Sequence, residues 1–234
     1  MSPGETDSML STAADAAVAA PRVVLFDFDG VLIHGDAFSL FMRERYQRSS
    51  LRKAGALLAL PWLLMVVPFS RRRAMHTLVH VALLGMGEQA YRAAAEAFAA
   101  SLVRRPRQFC RDGLNALRRH QAAGDRVIVV TGCEHVLVSH ILAQLGIQDV
   151  EVLASRLRPG LLGMRVKLHN VGRRKPLELA ALGVGEWHVA YSDSPVDAPM
   201  LKPAAEAVLV NGTPKRCKKL ERALGRTVTR VDWF

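Results

Sequence analysis

Short apolar runs recur along this chain, and most stop abruptly at a polar turn. Val23-Val24-Leu25-Phe26 ends at Asp27. Arg126 to Val130 ends at Thr131-Gly132, Trp187 to Tyr191 at Ser192-Asp193-Ser194, and Ala207 to Val210 at Asn211-Gly212. Asp149 to Leu153 is a further run. Short apolar, β-branched runs bounded by turn residues predict buried strands. After Gly132 the apolar positions Val136, Ile141, Leu142 and Leu145 fall on one helical side, with Gly146 as a stop. Strands alternating with helices predict an α/β fold: a Rossmann-like parallel sheet covered on both faces. Ligands bind such sheets at the carboxyl ends of the strands. Asp27, Thr131 and Asp193 each follow a predicted strand, so three distant polar residues should meet in one crevice.

Some ninety residues between the first two strands carry no strand pattern. Their periodicity predicts helices over 37–60, 71–84, 87–103 and 108–123, the last leading into the second strand. The remainder is too long for a loop. The expected division is a flexible tail over 1–21, a core of 22–36 and 106–234, and an all-helical cap over 37–105 inserted after the first strand. The tail carries Glu5, Asp7 and Asp15 and no Lys or Arg, unlike the basic start of a signal peptide.

Composition narrows the class. Half of the 234 residues are hydrophobic, which excludes a disordered chain. The net charge of +11 points to anionic partners: nucleic acid, an acidic membrane or a phosphorylated substrate. The basic clusters at 104–119 and 215–230 lack the aromatic or groove-reading neighbours of a nucleic-acid surface, so no nucleic-acid partner is expected. Cys110, Cys133 and Cys217 are widely spaced and form no CxxC, which fits a reducing cytoplasm rather than a disulfide framework.

The acidic residues carry the chemistry. Phosphomonoester hydrolysis needs a nucleophile, a proton donor and positive charge on the phosphoryl oxygens. A carboxylate can attack phosphorus, and a second carboxyl can protonate the leaving group and then activate water. Two carboxylates repel a dianion unless a cation intervenes, which Mg²⁺ and a lysine can supply. Asp27 and Asp29, then Thr131, Lys175, Asp193 and Asp197, supply these parts in order.

Four motifs resemble the haloacid dehalogenase superfamily: VVLFDFDGVLIHGD (23–36), VIVVTG (127–132), HNVGRRKPLEL (169–179) and AYSDSPVDAPML (190–201). The resemblance covers about residues 22–234. It implies a Mg²⁺-dependent phosphatase that works through an aspartyl-phosphate. Asp27 would be nucleophile and metal ligand. Asp29 would be acid/base, with its backbone carbonyl on the metal. Thr131 would hold the phosphoryl group, Lys175 would neutralise it, Asp193 would bind metal and Asp197 would support either. Backbone N–H groups of Phe28, Asp29 and Gly132 would add donors. Val31 stands where the family usually has Thr, and Ser192 where it usually has Gly. The helical cap, NVGRRK and the ending RVDWF resemble the C1-capped, phosphoserine-phosphatase-like branch (subfamily IB), which includes a phosphatidylglycerophosphate phosphatase type. Phosphoserine phosphatases bind the substrate's amine with a Glu soon after the first motif; here the nearest match is Asp36.

One segment bears on the substrate. Ala54 to Phe69 is uncharged and flanked by Arg52-Lys53 and Arg71-Arg72-Arg73. It is shorter than the roughly 20 residues of a spanning helix, and Pro61 and Pro68 interrupt it. A buried hairpin of cap helices is one reading. A segment dipping into an anionic leaflet, anchored by Trp62, is another. The second makes a lipid phosphate the natural substrate and places the protein peripherally on the inner face of the cytoplasmic membrane. The first suits phosphoserine or another soluble phosphomonoester. A catalytically silent module that docks on membranes or partners is the non-enzymatic alternative.

Overall fold

The structure, a computed structural model, describes residues 21–234. The expected tail, except for Pro21, lies outside the described residues. The sheet has seven strands in the order β4-β3-β2-β1-β5-β6-β7. They are β1 (Val23–Phe26), β2 (Arg126–Glu134), β3 (Glu151–Gly160), β4 (Gly163–Leu168), β5 (Val189–Ser192), β6 (Glu206–Val210) and β7 (Thr229–Val231). Every pairing is parallel except β3 with β4.

The centre is buried on both sides because β1 and β2 are apolar at consecutive positions. Val24 and Phe26 join one core cluster, while Leu25 joins the other. Val127 and Val129 repeat the first set, and Ile128 and Val130 the second. From β1 the sheet grows outward through β2 to β3, and then resumes on the other side with β5. The β1–β5 junction is therefore the switch point where a crevice opens at the carboxyl ends.

Five helices lie between β1 and Cys110: α1 (Ala37–Gln47), α2 (Ser50–Leu58), α3 (Leu60–Val66), α4 (Arg71–Ala82) and α5 (Glu88–Leu102). The core adds α6 (Arg111–Ala122), α7 (His135–Gln144), α8 (Arg174–Ala181), α9 (Ala198–Leu201) and α10 (Pro214–Leu224). The single helix expected over 37–60 is broken. Ser49 is extended and its side chain caps the Arg52 amide, so a new helix starts there. Ala59 and Pro61 then end α2 and open α3.

Several strand limits differ from expectation. β2 runs on to Glu134 through an irregular register after Val130, so Thr131 lies within the strand rather than beyond it. Asp149 has a positive φ of 58° and precedes β3, which extends instead to Gly160 as one half of an antiparallel arm with β4. Trp187 precedes β5; its indole donates to the Met200 carbonyl, so this aromatic packs under α9 rather than in the sheet. No strand was expected at Thr229–Val231, where three residues pair with the edge of β6.

The apolar segment 54–69 forms a hairpin, but it is not buried. α2 buries none of its residues, and Leu57, Leu58, Leu64, Met65 and Phe69 are all exposed. Only Leu63 and Val66 in this stretch turn inward. The buried-hairpin reading fails because α2 and α3 meet α1 and α4 through Gly55, Leu63 and Val66 while their large side chains point away. Among the described residues no helix is long and apolar enough to cross a membrane.

Candidate active site

The site begins where β1 stops. The Asp27 amide still donates to the Tyr191 carbonyl at 2.9 Å, which holds Asp27 in line with the sheet. The chain then turns: the amides of Leu32 and Ile33 donate back to the Phe28 carbonyl, and the Gly30 amide donates to the Ile33 carbonyl. Phe28 itself is buried in the core beneath the turn. The Phe28 amide donates to Asp27 Oδ1 at 2.7 Å, fixing the carboxylate's orientation. Asp29 Oδ1 accepts from the Ala37 amide at 2.8 Å, the first residue of α1, and Asp36 caps the same helix through the Ser39 amide.

Lys175 lies in the first turn of α8, and its side chain is fully buried. Its Nζ stands 2.7 Å from Asp197 Oδ2 and 3.1 Å from Asp27 Oδ2. Ser192 Oγ donates to the same Asp197 oxygen at 2.8 Å. Asp27, Asp29, Gly132, Lys175, Asp193 and Asp197 together line one cavity of about 480 Å³. Thr131 does not line it: the residue is fully buried, and its Oγ1 accepts from the Cys133 amide at 2.9 Å.

Burial dominates the electrostatics. It holds the Asp27 carboxyl well above its ordinary range, against the pull of Lys175. Burial, with the neighbouring Asp36 charge, pushes Asp29 up to about 7. Asp193 is likewise raised by burial, which Arg216 partly offsets. Burial alone would also raise Asp197, but Lys175 and hydrogen bonds from Asp27 and Ser192 bring it below the usual value. For Lys175, burial opposes the charge, and the two facing carboxylates outweigh it and raise the ammonium's pKa. Lys175 thus stands between two carboxylates, of which burial raises Asp27 while Lys175 and the hydrogen bonds lower Asp197.

Among the described residues no three His, Cys, Asp or Glu side chains converge as a metal-ligand group. The oxygen donors at hand are the Asp27 and Asp193 carboxylates and the Asp29 carbonyl, which accepts no amide among the described residues. Two carboxylates and a main-chain oxygen suit a hard divalent ion that keeps several waters.

Several residues to which the motifs assign no role support the site. Ser155 Oγ donates to the Gly132 carbonyl at 2.7 Å and accepts from the Asn170 amide at 2.9 Å. The Asn170 side chain donates to the Leu153 carbonyl, tying the approach to α8 onto β3. Glu134 is buried, caps α7 through the Leu137 amide, and accepts from the Tyr91 hydroxyl of α5. Arg216, from the basic cluster at 215–230, comes within 3.7 Å of Asp193. Buried polar partners of this kind carry no sequence signal beyond a polar residue beside an apolar strand.

A second cavity of about 270 Å³ adjoins the first and shares Asp36 and Gly132 with it. Its walls are largely apolar: Met42 and Tyr46 of α1, Met75, Leu78 and Val79 of α4, and Leu157 and Val166 of the β3–β4 arm. Glu134 and His169 add polar points.

The sequence model of the haloacid dehalogenase-like hydrolases matches residues 24–202. The chain belongs to that family. The haloacid dehalogenase-like assignment also accounts for the fold, which recurs in solved structures. A protein of unknown function from Bordetella pertussis Tohama I superposes with a TM-score of 0.68 at 21% identity, covering 90% of this chain and 99% of that one. A phosphoserine phosphatase solved as an analogue of its phospho-aspartyl intermediate superposes with a TM-score of 0.54 at 17% identity, covering 91% and 95%. Protein CicA of Caulobacter vibrioides is 31% identical over 144 residues, 59% of this chain. The match spans only 60% of that curated relative's length.

Proposed function

We propose that this hydrolase is a Mg²⁺-dependent phosphomonoesterase that forms an aspartyl-phosphate on Asp27. The observation that carries the reading is the buried Lys175, whose ammonium faces both Asp27 and Asp197 at the floor of the cavity. Bound Mg²⁺, held by Asp27, Asp193 and the Asp29 carbonyl, would neutralise phosphoryl oxygens and favour the ionised Asp27. An Asp27 carboxylate oxygen attacks phosphorus while the bond to the leaving oxygen breaks. Asp29, with a carboxyl near 7, carries a proton for part of the time at neutral pH and gives it to the leaving alkoxide. Once ionised, Asp29 takes a proton from water, which attacks phosphorus and releases Asp27. Lys175 offsets phosphoryl charge throughout, and Asp197 keeps Lys175 aimed at Asp27. The backbone N–H groups of Asp29 and Gly132 supply further donors, since the Phe28 amide is taken by Asp27 Oδ1, with Thr131 bracing the Gly132 turn from behind. Residues 37–105 act as the cap over this core.

The adjoining apolar cavity favours a leaving group with an apolar body, hence a lipid phosphate met at an anionic membrane surface. A soluble amino-bearing phosphomonoester is the second reading, favoured by Asp36 and Glu134 on the same cavity.

The test is hydrolysis of an aryl phosphate by the purified protein with Mg²⁺. Activity should vanish on chelation and in Asp27→Asn. In Asp29→Asn, mass spectrometry should find a phosphoryl group on the peptide that contains Asp27. Undiminished turnover by Asp27→Asn would overturn the assignment.

A further inference from the structure

Seven Lys or Arg and no Asp or Glu occur between Arg45 and Gly87. Within this stretch α2 and α3 expose a continuous series of large apolar side chains. Leu58 and Phe69 are 84% and 88% exposed, and Leu57, Leu64 and Met65 are exposed beside them. Lys53 stands on one side of the series and Arg71, Arg72 and Arg73 on the other, all exposed. Nine- and seven-residue helices such as α2 and α3 are below the length at which isolated helices persist in water. Their apolar side chains contribute little to the core, and a patch of this kind marks a partner surface.

We propose that the α2–α3 hairpin is a monotopic docking element for an anionic lipid bilayer. Leu57, Leu58, Leu64, Met65 and Phe69 enter the acyl boundary, and Lys53 and Arg71–Arg73 contact lipid phosphates. Charge decides between the occupants of this face. A second copy would bring basic surface against basic surface with no acid in the stretch to compensate. An anionic bilayer satisfies the apolar tip and its cationic flanks together. Trp62 is half exposed, with its indole N–H on Thr77 Oγ1 of α4, and so sits at the depth of an interfacial aromatic. The element does not span, since neither helix is long enough. α4 starts at the three arginines and carries Met75, Leu78 and Val79 into the apolar cavity beside the carboxylates. The docking face and the wall of the leaving-group cavity thus share one helix. This placement rests on the proposed phosphatase reading only for its purpose, not for its existence.

The experiment is co-sedimentation of the full chain with vesicles of phosphatidylcholine alone or mixed with phosphatidylglycerol, at low and high salt. Binding should need the anionic lipid and fall steeply with salt. Leu58→Asp with Phe69→Asp should weaken partition by roughly tenfold or more per residue, given the transfer cost of large apolar side chains. Trp62 emission should shift to the blue on binding, and this shift should be absent in Trp62→Phe. Aryl-phosphate hydrolysis without vesicles should be unchanged in the Asp double variant, which also reports that it folds. Equal binding to neutral vesicles, no binding at low salt, or a dimer in solution that the double variant dissolves would each overturn the docking proposal. None of these outcomes touches the phosphatase assignment, which the aryl-phosphate assay reads separately.

Discussion

Gly30 lies directly against Asp193. A Cβ at residue 30 would sit 2.6 Å from the Asp193 carboxyl carbon, and Gly30 has a φ of 77°. The turn after β1 and the end of β5 can approach this closely only without a side chain, and in a conformation that costs other residues about 1–2 kcal/mol. Gly30→Ala should therefore push Asp193 away from Asp27. The expected outcome is a loss of about a hundredfold in kcat/KM, the scale of an ångström-level misplacement. Raising the Mg²⁺ concentration should recover part of it. Steady-state kinetics across a metal titration checks this.

Lys175 and Asp27 should separate stability from activity. Lys175→Met leaves two buried carboxylates without their cation and should destabilise the fold by about 3–5 kcal/mol. Asp27→Asn removes a carboxyl that burial already disfavours in its charged form. It should leave stability unchanged or raised while abolishing turnover. Urea denaturation of the two variants, beside the activity assay, distinguishes them.

Metal binding should depend on pH in a defined direction. Asp27, Asp29 and Asp193 all have raised pKa values in the metal-free fold, Asp29 to about 7. The unfolded chain releases these protons near pH 4, so the folded state binds more protons between that value and the folded one. Metal-free stability contributed by these groups therefore falls as pH rises through this window. Mg²⁺ competes with those protons. The rise in melting temperature on adding Mg²⁺ should be larger at pH 7.5 than at pH 5.5. A pH-independent rise in thermal-shift measurements would contradict this account.

The apolar cavity should govern the leaving group. Leu78→Trp fills space between α4 and the β3–β4 arm. It should lower kcat/KM for long-chain alkyl phosphates by at least about tenfold, chiefly through KM. Turnover of a short alkyl phosphate should change little. A parallel series of chain lengths on the wild type and the variant tests it.

The centre of the fold was legible because β1, β2, β5 and β6 are short apolar runs that are buried in the sheet. The converging acids were legible because each follows such a run. Lys175 was legible as a cation but not as a helical residue, since its neighbours Arg173 and Arg174 mask the start of α8. The β3–β4 arm was largely hidden, because residues 156–162 are exposed except for Leu157 and carry little apolar alternation. Glu134, Ser155 and Asn170 were invisible for another reason: their roles depend on neighbours far away in sequence, such as Tyr91 for Glu134. The segment 54–69 left two readings open, and its exposure removes the buried one. Apolar residues usually go inside, yet here two short helices turn only Leu63 and Val66 inward and leave the larger side chains outside.

The β3–β4 arm has a mechanical consequence. Gly163 bridges to Leu84, and the Gly85 amide donates to the Leu162 carbonyl at 3.0 Å. A Cβ at Gly163 would collide with the Leu83 carbonyl, so the two backbones meet at full contact. This fastens the carboxyl end of α4 to the sheet. The two ends of α4 thus differ: its carboxyl end is tied through backbone to the arm, whereas its amino end presents three exposed arginines.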